Sequence, residues 1–298
     1  MNQVMQVFIG SMFGDGNIFP NEGRHHAYSE IHSLKQKEYL LWKMKIMSKE
    51  FNFANSPYIF DTYDKRTKRF YHHIKINCSN KEKLEKYYKT FYKNGRKIIP
   101  KLYLYGLNKL GLAIWYQDDG TYHYGSYTCS IATNRFTYKE NLLIKHFLKE
   151  KYNLNCIVCH KEDGYYLFFK RKDAEKFLNF IKNDIIHSMK YKLGHLEPLN
   201  RVKLIKAKET VSKNKKIYYK DNKEKILNYQ KQYRKENKEK IYFRAKRYNL
   251  KNRNRINEQR KKYYRLNRVR ILERNRMYWH KNSKLLNERK RMRKLENG

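Results

Sequence analysis

Acidic residues are scarce in this chain of 298 residues: 28 Asp and Glu stand against 69 Lys and Arg, a formal charge of +41. A surplus that large pushes a compact state apart unless a polyanion shares the surface. Nucleic acid is the partner such a balance implies, with an anionic membrane surface second. Long apolar runs are missing as well. None reaches the roughly 18 residues of a membrane-spanning helix, and the start "MNQVMQVFIGSMFGDG" lacks the basic region of a signal peptide. Cysteine is sparse, at Cys78, Cys129, Cys156 and Cys159. "CIVCH" (156–160) looks like half a zinc or haem-attachment pattern, but no second CxxC completes it. In a strand, moreover, residues three apart face opposite ways. Buried, reduced thiols follow, and with them a reducing compartment, cytoplasmic or organellar matrix.

What the chain does have is order repeated twice, then a tail. "VFIGSMFGDGNI" (7–18) is an apolar helix-like run ending in Asp15-Gly16. A polar extended stretch follows, then a helical pattern over 36–51 with Tyr39, Leu40, Trp42, Lys43, Ile46 and Met47 at helical spacing. Residues 57–77 read as a hairpin turning at Asp64–Lys68, and 80–93 as a helix capped by Asn80. The second half opens with "LAIWYQDDG" (112–120) and continues with "YTCSIATN" (127–134), a helix over 138–152, a hairpin over 155–170 and a helix over 172–185. Each half is an αββαββα unit, so the fold class is α+β with an internal duplication. The expected division is 1–100, 101–206 and a tail over 207–298.

Asp15 and Asp119 occupy matching places behind two apolar helices. Carboxylates at a helix C-terminus face the negative end of the macrodipole, at a cost of about 0.3–1 kcal/mol each. If the two helices pack together, with Gly10, Gly14 and Ala113 allowing close approach, the carboxylates meet and repel unless a cation lies between them. Oxygen ligands favour Mg²⁺, or Mn²⁺ in its place, and a basic surface around them fits metal-assisted phosphodiester hydrolysis.

"FIGSMFGDG" (8–16) and "LAIWYQDDG" (112–120) resemble the two signature motifs of the LAGLIDADG homing endonucleases in their single-chain, two-repeat form. "KIIP" (97–100) and "MKYKL" (189–193) are similar to elements of the intron-encoded monomeric branch, so the resemblance spans about residues 5 to 200. It implies a saddle-shaped DNA-binding surface built by two pseudo-symmetric repeats. It also implies a monomer acting on double-stranded DNA with a long asymmetric target site, and metal ligation by Asp15 and Asp119. Asp118 joins them as a helper, through its carbonyl, and Lys97 and Lys192 lie near the scissile phosphates. Ile114, Phe13 and Gln117 depart from the pattern without touching the metal ligands. An RNA-splicing maturase acting on intron RNA, or a catalytically inactive DNA-binding protein on the same scaffold, is the alternative. A binder gains nothing from opposed carboxylates, which favours the enzyme.

The hairpins supply the remaining candidates. In "RFYHHIKIN", Phe70, His72, Ile74 and Ile76 alternate with Arg69, Tyr71, His73, Lys75 and Asn77, a core face against a donor-rich one. Tyr58, Arg66, Lys68, Lys161 and Lys170 belong to the same hairpin regions. A two-stranded ribbon fits the major groove, where base edges are distinguishable. The pairs His25-His26 and His72-His73 do not chelate easily, since strand neighbours face opposite ways. Residues 213–298 carry 32 basic and 8 acidic residues. They repeat every fifteen positions: Tyr218, Tyr233, Tyr248, Tyr263 and Tyr278; Asn222, Asn237, Asn252, Asn267 and Asn282; Ile226, Ile241, Ile256, Ile271 and Leu286. Lys231, Lys246, Lys261, Arg276 and Arg291 are basic in register. Either a continuous helix carries a slowly winding Tyr/Ile stripe, or each Asn caps a short helix. Too little apolar area is buried for independent folding, and a basic nucleic-acid-binding arm is the expected role.

Overall fold

The computed structural model describes residues 1–20, 26–54 and 56–296, so His25 of the first histidine pair lies outside the described residues. The chain forms two compact units, 1–215 and 216–298. Among the described residues no helix is long and apolar enough to cross a membrane.

In the first unit α1 (Gln3–Phe13) leads into β1 (Asn17–Phe19), β2 (Ala27–Ser33), α2 (Lys37–Met47), β3 (Tyr58–Asp64), β4 (Arg69–Ser79) and α3 (Lys81–Phe91). The short strands β5 (Tyr92–Lys93) and β6 (Arg96–Lys97) and the helix α4 (Lys101–Gly106) join the repeats. The order then recurs as α5 (Lys109–Asp119), β7 (Gly120–His123), β8 (Thr128–Ala132), α6 (Tyr138–Tyr152), β9 (Ile157–Lys161), β10 (Gly164–Phe169) and α7 (Arg171–Ile181). Each repeat builds a four-stranded antiparallel sheet, in the orders β1-β2-β4-β3 and β7-β8-β10-β9.

Local chemistry sets the boundaries. Asn2, Asn80 and Asn108 cap α1, α3 and α5 through their side chains, and Thr137 with Glu140 forms a reciprocal capping box on α6. In the first hairpin turn Asp64 accepts from the Arg66 amide at 2.8 Å, while Lys68 takes a left-handed φ of 52°.

The motif helices α1 and α5 pack at the centre of the core, with Phe8, Ile9, Met12, Leu112, Ile114 and Trp115 fully buried. A Cβ on Gly10 would stand 2.7 Å from the Gly111 carbonyl and 2.8 Å from the Ile114 Cβ. Gly10 therefore receives Ile114 and Gly111, where the sequence pointed to Ala113 as the matching gap. Ile114, the departure from the motif, is accommodated by a glycine on the facing helix.

The alternation in β4 holds in direction but only half its length is covered. Ile74, Ile76 and Cys78 are buried, whereas Phe70 is 66% exposed and His72 also lies in solvent. The outer half of the hairpin reaches beyond the core, so Phe70 and His72 are not core residues. His72 pairs instead with Asp61 at 2.7 Å. All four cysteines are free; Cys78, Cys129 and Cys156 are buried and Cys159 is half-buried.

The second unit continues from α8 (Arg201–Asp221) into α9 (Lys223–Glu236), α10 (Lys238–Lys251) and α11 (Arg253–Glu296). α9 and α10 contain no buried residue. The asparagines between these helices do not cap through their side chains. Asn222, Asn237, Asn252, Asn267 and Asn282 instead donate Nδ2 back to the carbonyls of Tyr218, Tyr233, Tyr248, Tyr263 and Tyr278, at 2.8–3.0 Å. The N-capping alternative is thus replaced by a backward bond.

Candidate metal centre and nucleic-acid interface

Packing α1 on α5 brings the ends of the two motifs to one place. Asp15 lies just beyond α1, and Asp118 and Asp119 occupy the last turn of α5. Phe13, Gly14, Asp15, Lys97 and Asp119 share a cavity of about 290 Å³ with Thr133, Asn134 and Arg135. Burial, with Asp15 and Asp118 close by, pushes the Asp119 carboxyl up to about 8. Asp15 keeps 39% of its side-chain surface exposed.

Lys97 and Lys192 answer the dipole problem that the motif carboxylates create. Lys97 Nζ donates to the Gly16 carbonyl at 2.6 Å and the Gly14 carbonyl at 3.4 Å. Lys192 Nζ donates to the Gln117 carbonyl and, at 3.0 Å, to the Asp118 carbonyl. Each lysine thus ties down carbonyls at or just beyond the end of its own repeat's motif helix. Both are buried. Burial first, and then Arg135, brings Lys97 down to about 8 against the pull of the nearby carboxylates, and burial lowers Lys192 as well. Gln117 is a packing residue: its amide bridges Ala113, Asp184 and Ile186.

Asp118 behaves differently from its neighbour. Its side chain has no exposed surface and enters the space left by Gly14, whose missing Cβ would lie 2.5 Å from the Asp118 Cβ. There it accepts from Lys43 Nζ at 2.9 and 3.0 Å and from the Tyr39 hydroxyl at 2.7 Å. Lys43 also pairs with Glu30 and donates to Ser11 at 2.9 Å. Glu30 in turn meets His32 Nε2 and the Tyr28 hydroxyl, each at 2.6 Å. Burial raises the Glu30 carboxyl, but Lys43 and His32 outweigh it and hold the group down at about 2. Burial lifts Asp118 to about 6 despite Lys43.

Two arrangements of donors could therefore be asked to hold a divalent cation. Ligand atoms of Asp15, His32 and Asp118 lie within 4.8 Å of one another. His32 and Asp118 are already engaged by Glu30, Lys43 and Tyr39, so a cation there would compete with a satisfied network. Asp119 is the other case: it faces the cavity, and no hydrogen bond or ion pair holds its carboxylate among the described residues. A largely buried, unanchored carboxylate facing a second acid fits a hard cation.

The sheets present the hairpin candidates as expected in part. Tyr58 pairs with Lys75, Thr62 with Tyr71 and Asp64 with Arg69, which sets these residues on one face with His73. Lys75 Nζ stands 5.6 Å from the Tyr58 ring. Arg66, Lys68, Arg69 and Tyr71 are exposed, and His73 and Lys75 half-exposed. In the second repeat Lys161 Nζ sits 5.0 Å from the Tyr166 ring, in a hollow lined also by Thr121, His123, Ser130 and Asn134. Lys170 is exposed but stands off the sheet, at the start of α7. Sequence reasoning missed Glu30, His32 and Arg135 altogether, and placed Tyr39 only in a helical stripe. Lys43 carried the one available signal, a lysine inside an apolar helical stripe.

The profile of the LAGLIDADG DNA endonuclease family matches residues 5–177. The cytochrome b mRNA maturase bI2 of Debaryomyces hansenii is 29% identical over 206 residues, 65% of this chain and 74% of that protein. The intron-encoded endonuclease ai4 of Dictyostelium discoideum is 33% identical over 111 residues, 36% of this chain and 68% of that one. Other curated relatives are matched over about half their length, 46% and 47% in two cases. The solved structure of the homing endonuclease I-WcaI bound to its DNA recognition sequence superposes with a TM-score of 0.57 at 22% identity, over 64% of this chain and 86% of that one.

Proposed function

Since the chain belongs to the LAGLIDADG DNA endonuclease family, we propose that residues 1–215 hydrolyse both strands of double-stranded DNA at a long asymmetric site. The observation that carries this reading is the meeting of Asp15 and Asp119, one from each repeat, at a cavity into which Asp119 presents an unanchored carboxylate. A divalent cation bound there would supply Lewis acidity at a phosphodiester. Asp15 and Asp119 would hold it, one acid per repeat. Lys97 and Lys192 fix the carbonyls around it and keep positive charge beside the position of the scissile phosphates. Asp118 contributes position through its network and its backbone rather than a free carboxylate. The faces bearing Tyr58, Arg69, Tyr71, His73 and Lys75, and Lys161 with Tyr166, lie along the duplex, with Arg66, Lys68 and Lys170 on phosphates.

Asp119→Asn is the test. With Mg²⁺ or Mn²⁺ and a duplex that the wild-type chain cuts, the variant should bind but leave both strands whole. Cleavage at the wild-type rate would remove Asp119 from the chemistry. The resemblance to a maturase favours a second reading, assistance of RNA splicing. In that case Asp119→Asn would leave intron processing intact, whatever it did to DNA.

A further inference from the structure

The second unit exposes a basic helix whose asparagines depart from helical dihedral angles without ending its hydrogen-bond ladder. Asn222, Asn237 and Asn252 stand singly between α8, α9, α10 and α11, with φ near −111° and ψ between 15° and 21°. The backbone ladder runs on through each of them. The Asn amide reaches the tyrosine carbonyl four residues back, and the isoleucine four residues on reaches the Asn carbonyl. Asn267 and Asn282 make the same side-chain bond inside the unbroken α11. Fifteen residues span about 22 Å of helix, so the Tyr–Asn–Ile pattern returns at that interval on a slowly turning face.

Charge is distributed around that face in rows. At about 100° per residue, Lys225, Lys240, Arg255 and Arg270 fall beside the tyrosines, whereas Lys231, Lys246, Lys261 and Arg276 fall on the far side. A helix with cations on both sides has no apolar face to lay on a membrane. Two such helices would repel each other. Single-stranded nucleic acid is also a poor fit. Tyrosines in register, about 22 Å apart, cannot stack on successive bases. What does fit is a row of phosphates, to which tyrosine hydroxyls, asparagine amides and basic side chains all donate. We propose that residues 216–296 form a second, sequence-indifferent binding site for the phosphate backbone of duplex DNA, with the row of Tyr218, Tyr233, Tyr248 and Tyr263, which winds about 60° around the helix per repeat, as its contact surface. The choice of DNA as the duplex rests on the function proposed above; the phosphate chemistry does not.

The test uses the full chain in EDTA on a duplex of unrelated sequence, so that no cleavage is required and failure of the nuclease reading leaves it intact. One variant carries K225Q, K240Q, R255Q and R270Q; the other carries K231Q, K246Q, K261Q and R276Q. Each removes four charges, and Gln matches Lys and Arg closely in helix propensity. The tyrosine-face variant should lose about 0.9 from the log–log salt slope for each phosphate contact removed, up to roughly 3.6. The far-face variant should lose less than half as much. Equal losses would make the tail a diffuse polycation without a face, and no loss in either would take it off the duplex; both overturn the proposal. So would tighter binding of single-stranded RNA or anionic vesicles than of duplex DNA under the same conditions. A third variant, Y218F, Y233F and Y248F, removes hydroxyls only. It should weaken duplex binding by about threefold or more, and unchanged affinity would remove the tyrosine face.

Discussion

The two repeats share an order of elements but fill their interiors with opposite chemistry. In the first, Glu30 on β2 and Lys43 on α2 form a fully buried ion pair. Sheet register puts Glu30 opposite the buried Ile76 and Ile131 opposite the buried Leu167, so Ile131 on β8 is the counterpart of Glu30. Lys43 and Ile144 are each the seventh residue of their helices, and Ile144 is likewise fully buried. One repeat thus places an apolar pair where the other places charges, although burying an ion costs several kcal/mol before its partner offsets it. The difference has a visible destination. Lys43 reaches across to Asp118 of the second repeat, over the gap at Gly14. The acids Asp15 and Asp119 and the carbonyl-binding lysines Lys97 and Lys192 keep matching places in the two repeats, while their support does not.

Breaking the charged side should have the largest effect. Lys43→Met leaves Glu30 and Asp118 buried without their cation, and should destabilise the first unit by about 3–5 kcal/mol in denaturant unfolding. The matching Ile144→Val should cost only about 0.5–1.5 kcal/mol. Making the repeats alike sharpens the comparison: Glu30→Ile, Lys43→Ile and Asp118→Gly together should come within about 2 kcal/mol of wild type, because an apolar replacement removes the whole burden of buried charge. Costs that simply add across the three sites would show that the network does not act as a unit.

Gly14→Ala should cost about 1–3 kcal/mol through its clash with Asp118. A pH series separates Asp119 from this network. Its carboxyl is pushed up to about 8 from an ordinary 3.8, so the folded chain keeps a proton that the unfolded chain has lost. Without metal, stability should therefore fall as pH rises from about 4 to about 8 and level off above. Asp119→Asn should remove that component of the slope, and saturating Mg²⁺ should oppose it. An unchanged slope in Asp119→Asn would show that the carboxyl is not raised. The smallest effect belongs to the outer hairpin, where Phe70→Ser should move stability by less than about 0.5 kcal/mol.

These contrasts also mark what the chain could disclose before its fold was seen. The motif helices, both hairpins and the Asp15–Asp119 meeting were legible because periodicity and duplication are carried by many residues at once. Phe70 and His72 were assigned to a core because alternation tells which way a side chain points, not whether anything lies over it. Glu30 and His32 sat in a stretch that the pattern marked only as polar and extended. Their burial depends on Lys43 and Asp118, one from another element and one from the other repeat, and no local pattern encodes that. Gly10 was correctly read as a close-approach residue, yet its partner required the register of α1 against α5, which only packing decides.

The handover of Asp118 from one repeat to the other also bears on how the halves pair. Two copies of the first repeat would set Gly14 against Gly14 and leave two Glu30–Lys43 pairs without the acid that completes them. Two copies of the second would press Asp118 against Asp118, with isoleucine where the lysine should be. As they stand, the two halves complete one another and not themselves, and a single buried carboxylate makes the difference.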